Sequence, residues 1–104
     1  MVEEKISDGE EISPVDEEVE NSLFSVGNEL RMAREKKGLT IEQVFDQTRI
    51  PKRYLQAFEN NDVEAMPKPN YTVGFVRSYA KFLGLDGKEI AVRISADIGY
   101  NPVS

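Results

Sequence analysis

The sequence predicts an all-α fold, a five-helix bundle that contains a helix-turn-helix. Apolar residues recur at spacings of three and four in five segments of the chain, as on the buried face of a helix. No alternation of apolar and polar residues typical of a strand continues for more than a few positions. The 104 residues suffice for one domain with a core of its own.

The start of the chain differs in composition from the rest. Residues 1–24 hold nine Asp and Glu and one Lys, a net charge of −8, with few large apolar side chains. Such a segment cannot bury enough apolar surface to offset the entropy lost on ordering. We therefore expect a disordered acidic leader over 1–24 and a folded domain over 25–100. Two roles for the leader stay open: it keeps the protein soluble, or it competes with an acidic partner for the basic surface of the domain.

The first predicted helix begins after Ser25, a residue type that caps helices well, and ends before Gly38. Val26, Leu30 and Ala33 repeat at helical spacing and should face the core. Four basic residues concentrate toward the end of this helix: Arg31, Arg34, Lys36 and Lys37. Because cations are favoured at the negative end of the helix dipole, we expect this cluster to be a solvated helix terminus.

The middle of the chain predicts two short helices, at about 41–48 and 51–60, joined by a tight turn. Thr40, followed by Gln43 three residues later, forms a capping box at the start of the first helix. Pro51 suits the first turn of the second helix, because a backbone N–H has no partner there in any case. Six apolar side chains are expected to line one interior: Ile41, Val44, Phe45, Ile50, Leu55 and Phe58. This pattern is that of a helix-turn-helix, which can read DNA or bind another protein.

A fourth helix is predicted over about 70–83, after a stiff Pro-Lys-Pro connection at 67–69. Four of its side chains are expected in the core: Phe75, Val76, Tyr79 and Leu83. Tyr71 and Phe82 share a neighbouring face and are the better candidates for exposure. Gly74, which lies between them, would let a partner or a neighbouring helix approach the backbone closely, and of the two we expect close packing against another helix of the fold.

A fifth helix is predicted to open with a D-x-x-E box made by Asp86 and Glu89, and to end at Gly99. Its apolar residues repeat at a spacing that suits packing on the other helices: Ile90, Ala91, Ile94 and Ile98. The five helices account for the chain after the acidic leader.

The composition argues against an enzyme and against a metal site. Cysteine and histidine are both absent, so the usual zinc ligands, a thiolate nucleophile and the commonest general base are missing. We expect no cofactor. No apolar run approaches the roughly 18 residues of a membrane span, and the acidic start is unlike a signal peptide. These features are typical of a soluble cytoplasmic protein.

About sixty residues, between positions 27 and 86, carry segments that occur together in a known family. The segments are 30–35, 38–40, 48–50, 54–59, 71–80 and 83–86. The most specific is Y-x-x-G-F-x-R-S-Y-A at 71–80, which generic repressor domains do not carry. The chain thus resembles the cytoplasmic domain of the RodZ family of bacterial cell-shape proteins. The resemblance implies a repressor-like bundle that binds the actin homologue MreB and ties its filaments to the inner face of the membrane. In that family a transmembrane anchor follows this domain, so the chain is expected to be either the cytoplasmic part of a longer protein or a free-standing relative.

DNA is the alternative partner, because in repressor-type motifs the second helix lies in the major groove. That helix would present Lys52, Arg53 and Gln56 to the bases, although the two cations also suit a solvated helix start. Three positions depart from the Gln, Ala and Gly common in such DNA readers: Ile41, Phe45 and Arg49. Residues 25–104 hold twelve Lys and Arg against ten Asp and Glu, a surplus of +2 that is small for phosphate binding. A protein partner is therefore favoured over DNA.

The predicted partner-binding residues lie on and beside the fourth helix. Tyr71 and Phe82 would supply aromatic contacts, with Lys68 and Lys81 beside them. Aromatic anchors rimmed by basic groups have the composition of a hot spot in a protein interface.

Overall fold

The computed structural model describes residues 25–101, which form five α-helices, one short 3₁₀ helix and no strand. The helices are α1 (Val26–Lys36), α2 (Ile41–Thr48), α3 (Lys52–Glu59), α4 (Pro69–Phe82) and α5 (Gly87–Ile98), and the 3₁₀ helix is Val63–Ala65. The predicted all-α, five-helix fold is confirmed. The prediction of a disordered leader falls on residues 1–24, which lie outside the described residues.

Local hydrogen bonds fix the starts of three helices, as the sequence predicts. The hydroxyl of Ser25 accepts a backbone N–H from the first turn of α1, and the carboxylate of Asp86 does the same for α5. At α2, Thr40 and Gln43 form both hydrogen bonds of the capping box. Because each cap joins residues three positions apart, the sequence alone suffices to place it.

The bounds of two helices differ by one residue from the prediction. Pro51 is the cap of α3, and Lys52 is its first helical residue. Pro69 is the first residue of α4, where its missing N–H costs no hydrogen bond. The single 3₁₀ turn after α3 was not predicted, since three residues show no periodicity.

The core draws on all five helices. Its buried members are Val26, Leu30, Val44, Ile50, Leu55, Phe58, Val76, Tyr79, Ala80, Leu83, Ile90 and Ile94. Of the six side chains predicted for the helix-turn-helix interior, four are in this set, whereas Ile41 and Phe45 are half-buried and pack against its edge. The buried interior of the motif is therefore narrower than the sequence predicts.

Two glycines let backbones approach closely. A Cβ at Gly27 would overlap the carbonyl oxygens of Phe58 and Glu59, at the end of α3. A Cβ at Gly87 would lie 2.9 Å from the carbonyl oxygen of Arg77 in α4. The absence of a side chain at these two positions allows α1 to pack closely against α3, and the start of α5 to pack closely against α4.

Candidate protein-binding surface

α4 is the element on which the candidate surface is built, because it is buried along one side and open along another. Thr72, Val76, Tyr79 and Ala80 are buried. The Thr72 hydroxyl also donates to the carbonyl oxygen of Pro67 at 2.9 Å, which ties the first turn to the preceding connection. The exposed positions of this helix are Pro69, Asn70, Tyr71, Gly74, Arg77, Ser78 and Lys81.

A buried polar cluster fixes the inner side of α4 to α1 and α3. The guanidinium of Arg34 donates two hydrogen bonds to the carboxylate of Glu59, at 2.7 and 2.9 Å. A third, at 2.8 Å, goes from Arg34 to the carbonyl oxygen of Leu39. The phenol of Tyr79 donates to the same carboxylate. One side chain from each of the three helices thus meets at a single buried charge pair.

The cluster corrects one prediction and shifts two pKa values. The side chain of Arg34 is only 14% exposed, so the prediction of a solvated terminus is wrong for this residue, while Lys36 and Lys37 are exposed. The hydrogen bond to Glu59 raises the pKa of the Arg34 guanidinium above its ordinary value. Burial, together with the hydrogen bond to Glu59, raises the pKa of the Tyr79 phenol far above its ordinary 10.0. Arg34 is charged and Tyr79 neutral at any physiological pH.

On its outer side α4 contributes to a row of stacked aromatic rings. The rings of Tyr71 and Phe75 are 6.5 Å apart, and those of Phe75 and Tyr54 are 6.0 Å apart, both nearly parallel. We call these three residues the aromatic row. The guanidinium of Arg53 lies 4.6 Å from the centre of the Tyr54 ring and extends the row with a cation.

The structure places Phe75 in this row and not in the core, so the prediction that it is a core residue is wrong. Its side chain is half-buried and packs against the edge of the core. Val76, Tyr79 and Leu83 are buried as predicted. A signal in the sequence could have revealed the row: Phe75 is four residues after Tyr71, a spacing that puts both on one helix face. Tyr54 is on another helix, and no pattern in the sequence shows that it meets them.

The four predicted partner-binding residues are spread along α4. Tyr71 is 56% exposed, as predicted, whereas Phe82 is half-buried against the core. Lys68 directly precedes the helix, without a capping hydrogen bond from its side chain, and Lys81 lies near the helix end, about 20 Å away at the rise of an α-helix. Lys81 lines a groove of about 320 Å³ between α4 and α5, on a different side from the aromatic row. The helix therefore brings Tyr71 next to Phe75 and Tyr54, but not next to Lys81.

Gly74 does not have the role that the sequence predicts. A Cβ at this position would meet no atom within 4 Å beyond its own helix turns and chain neighbours. The expectation of close packing against another helix of the fold is therefore wrong for the described part of the chain. In a helix interior a glycine is less favourable than alanine by about 0.5–1 kcal/mol.

Two of the three residues predicted to read DNA have partners within the domain. The ammonium of Lys52 forms an ion pair with Glu42 at 3.2 Å, and Arg53 stacks on Tyr54 and donates to its hydroxyl at 3.3 Å. Gln56 is exposed. Arg49, in the turn, adopts the left-handed conformation (φ 64°) that glycine normally takes there. Its guanidinium lies 5.3 Å from the centre of the Phe45 ring.

Other parts of the described chain offer no equally definite chemistry. A shallow groove of about 430 Å³ lies between the 3₁₀ helix and α5, bordered by Ser25, Met66, Ile94 and Ile98 among others. Within residues 25–101, no three carboxylates come together as a metal site. None of the helices described here has the length and hydropathy needed to cross a bilayer.

Comparison with known proteins agrees with this architecture. Residues 29–90 match the model of a family described as helix-turn-helix domain. Over 62 residues the chain is 36% identical to a protein of Streptococcus pneumoniae (strain ATCC BAA-255 / R6) named cytoskeleton protein RodZ. The matched stretch is 60% of this chain but only 22% of the pneumococcal protein. No solved structure gives a significant match.

Proposed function

The chain belongs to the helix-turn-helix domain family, and from this premise we propose that residues 25–100 are the protein-binding domain of a RodZ-like cell-shape protein. The partner in this proposal is an MreB-like bacterial actin. In the complete protein, the domain would link actin filaments to the inner face of the cell membrane. The similarity to a cytoskeleton protein supports the cell-shape role, and the surface of α4 supports the choice of a protein partner.

One observation carries the proposal: the partly exposed aromatic row ends in the exposed ring of Tyr71, on a helix whose cations have no acidic partner within the described residues. Tyr71 is more than half exposed, and its ring already lies against Phe75 at little cost in side-chain entropy. Lys68 and Arg77 are exposed and form no ion pair within the described part of the chain. Aromatic side chains and arginine are the residue types enriched among those that contribute most in protein interfaces.

DNA binding, which would use the exposed residues of α3, has less support than binding of a protein. Lys52 and Arg53 already have partners in the domain, the ion pair with Glu42 and the stacking on Tyr54, so contacts with base edges would compete with both. A surplus of two positive charges outside the acidic leader is also a weak attraction for a phosphate backbone. Selection from a random duplex library at physiological salt tests this. Enrichment of one sequence, lost in Arg53→Ala, would replace the protein-binding proposal with a regulator that binds DNA.

Filament binding tests the proposal directly. Tyr71→Ala should weaken co-sedimentation with filaments of the MreB-like actin of the same organism by about 30-fold, which corresponds to about 2 kcal/mol for a hot-spot aromatic. Val92→Ala is the matched control, because Val92 is an apolar side chain 70% exposed on α5. Both variants should unfold at nearly the parent temperature. If Tyr71→Ala binds filaments as well as the parent does, the proposed surface is wrong.

A further inference from the structure

Gly74 lies in the interior of α4, where nothing in the described fold requires a glycine. At each of the other described glycines, either the packing or the backbone conformation disfavours a side chain. Gly27 and Gly87 face backbone atoms too close for a side chain, and Gly38, Gly84 and Gly99 have positive φ. Gly74 has neither a close neighbour nor a positive φ. The missing side chain lowers the stability of the helix, and no closer packing within residues 25–101 offsets this loss.

The surroundings of Gly74 belong to the candidate surface. Tyr71 is one turn before it, and Arg77 and Ser78 are one turn after it; all three are exposed. Residues three and four positions apart are neighbours on a helix surface. The bare backbone at Gly74 therefore lies between the helix positions of two exposed residues, Tyr71 and Arg77.

The charged side chains of α4 itself are all cations. α4 contains Arg77 and Lys81 but no Asp or Glu, and Lys68 precedes it. None of the three cations has an ion pair within the described residues. On the neighbouring α3, the one acidic residue is Glu59, which is buried with Arg34. Asp86 borders the groove that Arg77 and Lys81 line, but it forms no ion pair with either within the described residues. A partner that covers α4 would leave these cations unpaired unless it brought acidic groups of its own.

We propose that an acidic α-helix of the protein partner crosses α4 at Gly74, with its backbone seated between Tyr71 and Arg77. The inference rests on the proposed function and names what the partner brings to that surface. A helix is the fitting element because the described chain has no strand edge to which an extended segment could pair. Two helices cross about 8–10 Å apart depending on the side chains at the contact, and a glycine there allows the closest approach.

A size series at position 74 tests the close approach, again with filaments of the MreB-like actin of the same organism. Gly74→Ala should raise the melting temperature by about 2–6 °C, because alanine favours the helix. The same substitution should weaken filament binding about tenfold, and Gly74→Leu should weaken it a hundredfold or more. Ala96→Leu is the matched control: Ala96 is exposed on α5, so the same added volume should leave binding unchanged. A stability gain that coincides with an affinity loss is not expected of a residue with a purely structural role.

The outcomes separate this inference from the proposed function. If Tyr71→Ala loses binding while both Gly74 variants bind like the parent, the crossing at Gly74 is wrong and the protein-binding surface stands. If all three variants bind like the parent, the proposed surface fails and the inference fails with it. An affinity gain in Gly74→Leu that disappears when residues 1–24 are removed would assign the acidic helix to this chain's own leader and overturn the inference about the partner.

The acidic character of the partner has its own test. Arg77→Glu reverses a charge beside Gly74 and should weaken filament binding at least tenfold at low salt, with a smaller effect at high salt. Lys36→Glu makes the same reversal at an exposed position of α1 and should change binding little. Equal effects of the two substitutions would mean that only the net charge matters, which contradicts an acidic helix placed at Gly74.

Discussion

Single residues decide the position of α4 through the buried contact of Arg34, Glu59 and Tyr79. An ion pair of this kind adds little when compared with a well-packed apolar core, but removing one partner leaves the other charge buried and unpaired. Glu59 is the member on which the others depend, since both Arg34 and Tyr79 donate to its carboxylate. Its loss should therefore affect three helices at once.

Glu59→Ala should lower the free energy of unfolding by about 3–5 kcal/mol, because it leaves the guanidinium of Arg34 without a counter-charge in the interior. Urea unfolding followed by circular dichroism measures the change. Glu64→Ala, at an exposed position of the 3₁₀ helix, is the control and should change stability by less than about 0.5 kcal/mol. Equal effects of the two substitutions would show that the buried pair has no special role.

Tyr79 predicts a pH dependence with a definite sign. Its pKa is raised in the folded state above the ordinary 10.0, so above that pH the unfolded chain releases this proton while the folded chain keeps it. The contribution to stability is thus complete below pH 10 and is lost as the pH rises further. In Tyr79→Phe the alkaline fall in stability should be shallower by up to about 1.4 kcal/mol per pH unit. Unfolding curves between pH 8 and 12 measure it, and identical slopes in the two proteins would contradict the assignment.

The sequence could predict the caps of these helices but not this cluster. Thr40 and Gln43 are three residues apart and make their hydrogen bonds within one turn. Arg34 and Glu59 are 25 positions apart, and their contact depends on how α1 packs against α3. A basic residue near a helix end fits both a solvated terminus and a buried pair, and only the tertiary structure distinguishes them.

At the scale of elements, α4 carries apolar residues both on its core face and in the aromatic row beside it. The inner side is core, and the outer side carries the aromatic row. Periodicity predicts the existence and the length of this helix well, since both ends are marked by local signals. It does not say which apolar residues face inward, because that depends on where α3 and α5 lie. Periodicity alone therefore places Phe75 in the core, although the structure places it in the aromatic row.

The outer position of Phe75 predicts a smaller cost of truncation than a core residue has. Phe75→Ala should lower the free energy of unfolding by about 1–2 kcal/mol, since part of the ring already contacts water and the rest stacks on Tyr54 and Tyr71. Leu55→Ala, at a fully buried position, should cost about 3 kcal/mol or more. Thermal and urea unfolding of both variants give the comparison. If Phe75→Ala lowers the free energy of unfolding as much as Leu55→Ala does, Phe75 behaves as a core residue and its outer position is contradicted.

At the scale of the whole molecule, charge divides the sequence into two unlike parts. The net charge of −6 combines a strongly acidic leader with a mildly basic remainder. The core formed by the described residues draws on all five helices between Val26 and Ile94. Next to Ser25, where the leader joins the domain, lies the groove bordered by Met66 and Ile98. The leader, residues 1–24, contributes most of the negative charge, and its contribution to the stability of the domain can be tested separately.

We expect that removing residues 1–24 leaves folding almost unchanged. The melting temperature should shift by less than about 4 °C, which for a domain of this size corresponds to less than about 1 kcal/mol. The reason is that the leader's few apolar residues cannot offset its ordering entropy, while the described residues share one buried core. A leader of equal length with its nine Asp and Glu changed to Ser is the matched control, because it removes the charge and keeps the chain. If deletion lowers the melting temperature by much more than 4 °C while the Ser-substituted leader does not, the leader packs on the domain, and the groove at Ser25 is where its contact should be sought.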